Sequence, residues 1–394
     1  MFCDQNGISY TILGMDDTLG ALDGIRVADF SRVLAGPIAT MILGDLGADV
    51  IKVERPGDGD DTRRWGPPWS AAGVSSYYLG ANRNKRSIAL DLKDPDDAAT
   101  ARTLALRSDV VIENFRQGVM ERAGLDHASL TADRTDLVSC RIAGLGRGDV
   151  AGYDFLAQAM GGLMSITGDA DGEPHKVGVA LVDVMAGLHA AIGVLAALRH
   201  RDRTGEGQLV EVDLLSTTLF SLANQASSWL TAGVVAGRMG NRHPSIAPYE
   251  TLQAADGPFV IAVGNDGQFR TMCDVLDQPT LADDARFATN SARVEHREAL
   301  REALAPTLHA APAAVWVERL RAAGIPCGMV NQIDQAFALA RNVGLEPVAT
   351  VVGADGAVDT VANPLSLSRT PPTYRLAPPG IGEQSDEIRA ELTR

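Results

Sequence analysis

One acidic residue, Asp183, lies inside a long apolar stretch that runs from Val177 to Leu198. An ionised carboxylate is costly to bury unless hydrogen bonds or a chemical role compensate. Residues 177–182 are predicted to form a strand and the residues that follow a helix, and open α/β sheets carry their reactive groups at such junctions. This pattern makes Asp183 a candidate nucleophile.

The main alternative for Asp183 is a helix N-cap, because aspartate is a favoured capping residue and a cap contributes about 1 kcal/mol. Its neighbours Val182 and Val184 are apolar, whereas exposed caps usually have polar neighbours. The two roles are compatible, since a helix N-terminus is expected to keep a carboxylate ionised and nucleophilic. The residues alone leave both interpretations open.

Basic and aromatic residues accompany several predicted strands in the first half of the chain. Arg55 ends one strand, residues 82–86 precede the next, and Asn114 and Phe115 end another, with Arg122 soon after. In a doubly wound sheet the carboxyl ends of the strands face one crevice, so Arg55, Asn114 and Phe115 should converge there. Positive charge beside an aromatic face fits a phosphorylated adenine nucleotide; a set of solvated surface charges is the alternative.

The order of the predicted elements indicates how these residues are positioned. Short β-branched runs alternate with Ala- and Leu-rich runs, which predicts an α/β fold with a doubly wound, Rossmann-like parallel sheet. The proline-rich tail is expected to be an extended segment rather than a helix. The predicted organisation is a large domain of residues 20–230 completed by 335–394, a linker at 231–250 and a small α/β domain at 251–334.

Composition excludes several classes of protein. The net charge of −15 argues against broad binding to nucleic acid or to an anionic membrane. The four cysteines have no metal-ligand spacing, so we expect a cytoplasmic protein without a metal site. The apolar run 184–198 is predicted to be too short to span a bilayer. Residues 1–19 are predicted to be weakly structured, with no secretion signal and with Met15 as a second candidate for the initiating residue.

Two further patterns do not predict chemistry. The glycines of residues 144–148 follow a predicted strand, but no helix begins within them, so we expect a flexible loop beside a pocket rather than a dinucleotide site. His175, His189, His200 and His243 are unclustered, and each is expected to be an ordinary core or surface histidine.

Taken together, these segments resemble a family III CoA-transferase of the CaiB/BaiF group, from about Leu22 to the C-terminus. Each matching stretch is modest alone, but their joint order is highly specific. They are residues 33–37, 47–56, 82–93, 111–115, 152–158, the segment around Asp183, 324–328 and 363–372.

The resemblance implies that Asp183 is the catalytic aspartate. Its carboxylate would attack an acyl-CoA thioester to give a mixed anhydride and CoA thiolate; the thiolate then forms an aspartyl-CoA thioester, which the acceptor acid resolves. CoA is then a substrate, and no tightly bound cofactor is implied. The residues that resemble the CoA-binding set are Val33, Ala35, Arg55, Lys85, Asn114, Phe115, Arg122 and Tyr153.

The sequence departs from the formyl-CoA transferase branch at three places. Leu34 stands where that branch has a glutamine, Ala151 replaces a basic residue before Tyr153, and residues 264–268 replace a glycine-run loop over the active site. These differences put formate and oxalate in doubt and favour a larger acid, such as a dicarboxylate.

Four residues are speculative substrate contacts on the same basis. Leu34 and Asp154 lie in the matching motifs, whereas Arg242 and His243 lie on the predicted linker. The latter two would anchor the distal carboxylate of the acceptor.

The related α-methylacyl-CoA racemases share the fold and the aspartate, but carry a histidine base where Tyr153 stands before Asp154. A tyrosine of ordinary pKa, near about 10, is a poor base for an α-proton. Racemase or isomerase activity and a catalytically silent CoA-binding protein are the alternatives. The resemblance also implies an interlocked homodimer with the active site near its interface.

Overall fold

The computed structural model describes residues 20–146, 152–353 and 356–394, and two short paired strands near the N-terminus, β1 (Phe2–Cys3) and β2 (Ser9–Tyr10). The chain forms two compact units. The first contains the chain up to Gly161, Gly178–Ser221 and Glu346–Arg394, and the second contains Gly162–Val177 and Leu222–Leu345.

A six-stranded sheet in which every neighbouring pair is parallel forms the centre of the first unit. Its strands are β3 (Arg26–Asp29), β4 (Asp49–Glu54), β5 (Lys85–Ala89), β6 (Val110–Glu113), β7 (Val138–Ala143) and β8 (Leu209–Asp213). The spatial order is β5-β4-β3-β6-β7-β8, so the chain adds strands on one side of β3 and then on the other. This confirms the predicted doubly wound sheet and places its switch point between β3 and β6, where such folds bind ligands.

Helices flank this sheet, and several begin with a capping side chain. Asp94 accepts hydrogen bonds from the backbone N–H groups of Asp96 and Asp97, and Pro95 is the first residue of its helix. The helices of this part are α1 (Ala35–Asp45), α2 (Ser76–Leu79), α3 (Pro95–Leu106), α4 (Val119–Arg122), α5 (His127–Thr131), α6 (Asp154–Met160), α7 (Leu181–Thr204) and α8 (Leu214–Ser221), with a 3-10 turn at Asp61–Arg64.

Helix α7 carries Asp183 and packs against α1, β7 and β8. The strand predicted over residues 177–182 is wrong: the helix begins at Leu181, and Val179 is 52% exposed, so this segment does not enter the sheet. The 24 residues of α7 have a mean hydropathy of 2.0 over their most apolar window, with 44% of that window buried. By length and composition alone the helix could cross a membrane, contrary to the sequence prediction, although a core helix of a soluble protein passes the same test.

The second unit has its own antiparallel sheet, in the order β11-β10-β9. Phe259, Phe269, Phe287 and Trp316 are among the side chains of its core. Its elements are α9 (Ala223–Ala232), β9 (Tyr249–Gln253), β10 (Pro258–Ala262), α10 (Asp266–Val275), α11 (Asn290–Glu295), α12 (Arg297–Leu308), α13 (Ala313–Ala322), β11 (Cys327–Met329) and α14 (Ile333–Asn342), with 3-10 turns at Met164–Ile166 and Pro279–Ala282.

Two local predictions fail at the edges of this unit. The sequence pattern predicts one long helix from residue 216 to about 230, but the structure has two helices, because Ala223 has a left-handed backbone with φ of 44°. Residues 162–177, expected in the large domain, belong to the second unit. Gly240 donates its N–H to the Gly168 carbonyl at 3.0 Å, and Arg238 donates to the carbonyls of Asp169 and Gly172.

The C-terminal segment returns to the first unit as the hairpin β12 (Val348–Gly353) and β13 (Gly356–Val361), followed by helix α15 (Ser385–Thr393). The prolines lie in extended chain as predicted, but the last residues are helical, with Ile388 and Leu392 in the core of the unit. The buried pair Arg83 and Asp45 joins this segment to the unit. Arg83 donates to both carboxylate oxygens, and Asn363 donates to the same carboxylate at 3.0 Å.

Candidate functional site

A cavity of about 190 Å³ lies at the carboxyl ends of β3, β6 and β7, at the switch point of the sheet. The first turn of α7 closes one side of it and brings in Asp183. Several of the residues singled out in the sequence line this cavity, as the doubly wound topology predicts. They are Val33, Leu34, Ala35, Asn114, Phe115, Tyr153 and Asp183.

Asp183 is the third residue of α7, and the helix is capped by a different side chain. Ala180 occupies the N-cap position and makes no side-chain cap. Asp154 accepts hydrogen bonds at one oxygen from the backbone N–H groups of Val182 (2.8 Å) and Asp183 (3.2 Å), and at the other from Gln158 (2.7 Å). The N-cap interpretation of Asp183 is therefore wrong, and Asp154 performs that role from α6.

Burial raises the pKa of Asp183 to about 7, and the negative charge of Asp154 adds to the rise. Burial and a like charge act against the helix N-terminus, so this carboxyl is not kept fully ionised as expected. Near neutral pH the group is divided between its two protonation states. A half-buried carboxyl with so perturbed a pKa, inside a cleft, is typical of a catalytic residue.

Tyr77 is a neighbour of Asp183 that the sequence did not indicate. Burial, with the charges of Asp183, Asp154 and Asp60, raises the pKa of Tyr77 to about 12, so its phenol stays protonated and can donate a hydrogen bond. It lies in the short helix α2, whose four residues are too few to show a periodic pattern.

The loop between β3 and α1 is held in a strained conformation. Val33 has φ of 69°, a left-handed value that is rare for a β-branched residue. Its N–H donates to both oxygens of Asp60 at 3.3 Å, and Asn114 binds the backbone N–H and carbonyl of Arg32 at 2.8 and 2.7 Å. Asn114 therefore supports the loop, while its expected contact with CoA stays a prediction.

A fully buried ion pair lies beneath this loop. Lys52 Nζ lies 2.9 Å from Asp60 Oδ2 and donates to the Ser31 carbonyl at 3.0 Å. Burial alone would raise the pKa of Asp60, but Lys52 and hydrogen bonds from Thr62 lower it to about 2. The signal in the sequence was a lysine among the apolar residues 50–53 in the interior of strand β4.

Lys85 does not occupy the position expected of a CoA contact. Its side chain is fully buried, and its ammonium donates to Asp29 (3.2 Å), Asn82 (2.9 Å) and the Pro37 carbonyl (3.0 Å). All three donors of the ammonium are used inside the protein. The prediction of a direct contact between Lys85 and CoA is therefore wrong, because Lys85 lies on β5 with its side chain in the interior.

A second cavity, of about 490 Å³, adjoins the first and shares Arg32 and Phe115 with it. The Arg32 guanidinium lies 5.1 Å from the centre of the Phe115 ring. Cationic and apolar side chains line this second cavity together, which fits a phosphorylated nucleotide. They include Arg55, Arg122 and Lys93 among the cations, and Phe30, Leu90, Leu92 and Phe115 among the apolar groups. Lys93 was not predicted.

The remaining predicted residues lie elsewhere. In the second unit, Arg242 donates to Glu298, and His243 contacts the Tyr249 ring at 5.2 Å between centroids, so their role as substrate anchors stays a prediction. Asn265, in the segment 264–268, caps α10. Ala151, Gly148 and Met15 lie outside the described residues. No histidine lines the Asp183 cavity in the described part of the chain, so a racemase base is not found there.

Known proteins resemble this chain over nearly its whole length. Residues 22–385 match the family model described as CoA-transferase family III. A succinate–glutarate CoA-transferase of Agrobacterium fabrum is 43% identical over 391 residues, covering 94% of this chain and 95% of the relative. An acetyl-CoA:oxalate CoA-transferase of Acetobacter aceti is 39% identical over 383 residues, covering 95% and 96%.

A solved structure extends the similarity to the whole fold. The crystal structure of a CaiB/BaiF family protein from Brucella suis is 41% identical, with a TM-score of 0.84, and covers 95% of this chain and 100% of that one.

Proposed function

Because the chain belongs to CoA-transferase family III, we propose that Asp183 transfers CoA from an acyl-CoA to a free carboxylic acid through covalent intermediates. The observation that carries the proposal is the half-buried carboxyl of Asp183, which lies at the switch point of the sheet and has a pKa of about 7. Asp154 caps the helix in its place, so this carboxyl is not used as a cap. Family membership supports the overall reaction, and the intermediates are the part that we propose.

The proposed steps balance without any added reagent. The ionised Asp183 attacks the thioester carbonyl, the C–S bond breaks, and CoA leaves as its thiolate, giving an aspartyl–acyl anhydride. The thiolate then attacks the aspartyl carbonyl and expels the donor acid as its carboxylate. The acceptor carboxylate repeats the two steps in reverse order, which regenerates Asp183 and releases the new acyl-CoA.

The two adjoining cavities support a model in which each binds a different part of CoA. The larger one offers Arg55, Lys93 and Arg122 for phosphate groups and an apolar wall for adenine. The smaller one, reached past Arg32 and Phe115, would receive the thioester.

Short dicarboxylic acids are the proposed acid class. The names of the relatives support it, since one acts on succinate and glutarate and another on oxalate. Leu34 was one reason to doubt oxalate as a substrate. Because one relative uses oxalate, we keep oxalate among the candidate acids.

We also propose that the protein is a homodimer. Large apolar side chains are exposed on the first unit, among them Phe220 (77%) and Ile192 (62%), more than isolated surface positions require. Sedimentation equilibrium should give twice the mass of the chain; a monomer at micromolar concentration would contradict this.

The covalent intermediates can be tested directly by trapping. Incubation with succinyl-CoA, followed by hydroxylamine or borohydride, should modify the peptide that contains Asp183. The extent should rise with pH to half its maximum near 7, because only the ionised carboxyl attacks. Mass spectrometry of the digested protein measures both.

The matched control for trapping is Asp202→Asn, at the exposed far end of the same helix. This variant should trap as the wild type does, and Asp183→Asn should not trap. An adduct on another residue, or none with any donor in a panel of acyl-CoAs, would count against the proposal.

A further inference from the structure

Three arginines and two acidic residues carry the charge that lines the Asp183 cavity among the described residues: Arg32, Arg116, Arg141, Asp61 and Asp183. Arg32 is already engaged, since it lies 3.4 Å from Asp61 and against the Phe115 ring. Arg116 is exposed to solvent. Arg141 differs from both, because its side chain is only 29% exposed.

Among the described residues, Arg141 makes one ion pair, and that pair is long. It stands on β7 opposite Glu113 of β6 and Glu211 of β8. Its Nε lies 3.6 Å from Glu113 Oε1, which is too long for a hydrogen bond. Within the described chain, no ion pair joins it to the exposed Glu211.

Glu113 is also a weak counter-ion. Its other carboxyl oxygen accepts the Phe115 N–H at 2.7 Å. Burial raises the pKa of Glu113 to about 7, so a share of this carboxyl is protonated near neutral pH. A partly desolvated guanidinium is stabilised when a full carboxylate binds it, and its planar fork matches a carboxylate at two points.

We propose that Arg141 binds the distal carboxylate of a dicarboxylic substrate whose other carboxyl reacts at Asp183. The proposal rests on the proposed function and names the determinant of its acid specificity. Because donor and acceptor occupy the same acyl position in turn, one anchor would serve both halves of the reaction. A monocarboxylate would leave Arg141 with only its long ion pair to Glu113, and this is the source of the discrimination. Unlike Arg242 and His243, Arg141 lines the same cavity as Asp183.

The test is isotope exchange between an acyl-CoA and its own labelled acid, using the full-length protein. Oxalate, succinate and glutarate form the dicarboxylate series, and pentanoate matches glutarate in chain length with one carboxyl fewer. Arg141→Met should lower exchange of the preferred dicarboxylate about 10- to 100-fold, since a hydrogen-bonded charge is lost. Pentanoate exchange and the Kd for CoA should stay within about threefold.

Arg141→Lys separates charge from geometry, and it is the milder change if the methionine variant fails to fold. It should fall between wild type and Arg141→Met, because it keeps the charge but loses the fork. Arg203→Met, at the exposed end of α7, is the matched control and should leave every exchange unchanged.

The outcomes separate this inference from the function on which it rests. The inference is overturned if Arg141→Met or Arg141→Lys lowers dicarboxylate and pentanoate exchange equally, if neither variant changes them, or if wild type exchanges monocarboxylates alone. Wild type that exchanges no acid in the panel would instead overturn the proposed function.

Discussion

Asp183→Asn should lower kcat/KM for CoA transfer by about 10,000-fold or more while leaving the Kd for CoA nearly unchanged. The amide has the size of the carboxyl but cannot attack the thioester, and loss of a covalent nucleophile typically costs this much or more. Initial-rate assays with one acyl-CoA and one acid, together with calorimetric CoA binding, measure both. Asp183→Ala should lose as much activity as Asp183→Asn. It is the control for deamidation, which could convert the asparagine side chain back to a carboxyl group.

The same substitution should stabilise the protein at alkaline pH. The pKa of Asp183 rises from 3.8 to about 7 on folding, so the folded state binds the proton more tightly and wild-type stability falls as pH rises between about 4 and 7. At pH 8, the free energy of unfolding of Asp183→Asn should therefore exceed that of wild type by about 1–3 kcal/mol. At pH 4 the two proteins should differ little.

Asp202→Asn is the control for both properties and should resemble wild type in rate and stability. An Asp183→Asn variant that retained a tenth of the wild-type rate would refute the role of Asp183 as the nucleophile. One that was inactive but less stable at pH 8 would mean that its fold, rather than its chemistry, had been damaged.

Lys52→Met should lower the free energy of unfolding by about 3–5 kcal/mol, because it leaves the carboxylate of Asp60 buried without its cation. Activity should fall as well, since Asp60 holds the strained backbone of Val33 at the edge of the cavity. Urea denaturation followed by circular dichroism measures the first effect, and initial rates measure the second.

The exposed Lys176→Met is the matched control and should change stability by less than about 0.5 kcal/mol. The double variant Lys52→Met/Asp60→Leu should recover part of the loss, as an apolar pair replaces an isolated charge. Since the pKa of Asp60 is lowered to about 2, the gap between wild type and Lys52→Met should close as pH falls from about 4 to 2. A gap below 1 kcal/mol at pH 7 would contradict the importance of the pair.

The parallel sheet was predictable because it depends on repeated local signals. The apolar, β-branched runs at residues 25–30, 49–54 and 87–92 predict strands. Strand β4 coincides with the second run, and β3 and β5 lie within a few residues of the other two. Convergence of Arg55 and Phe115 follows from topology alone, since strand ends in such a sheet share one edge.

The polar interior was not predictable in the same way. Asp29, Lys52 and Lys85 lie on three neighbouring strands that are well separated in the sequence. Which of these side chains meet depends on the register of the strands, which no single run of residues encodes. The prediction that Lys85 contacts CoA was wrong for this reason. A cluster of basic residues in the sequence predicts positive charge, but the alternation of side chains along a strand determines which of them point inward. The strand expected before Asp183 failed because an apolar run can be exposed when no sheet edge lies beside it.

The return of residues 346–394 to the first unit has a consequence for synthesis of the protein. Ile388 and Leu392 fill the same core as strands made hundreds of residues earlier, and Asn363 reaches the carboxylate of Asp45. The ribosome must therefore release almost the entire chain before this core can close, whereas the second unit, most of it one continuous stretch, can fold earlier. Until then the core of the first unit lacks the side chains of Ile388 and Leu392, and the apolar groups that they cover stay exposed.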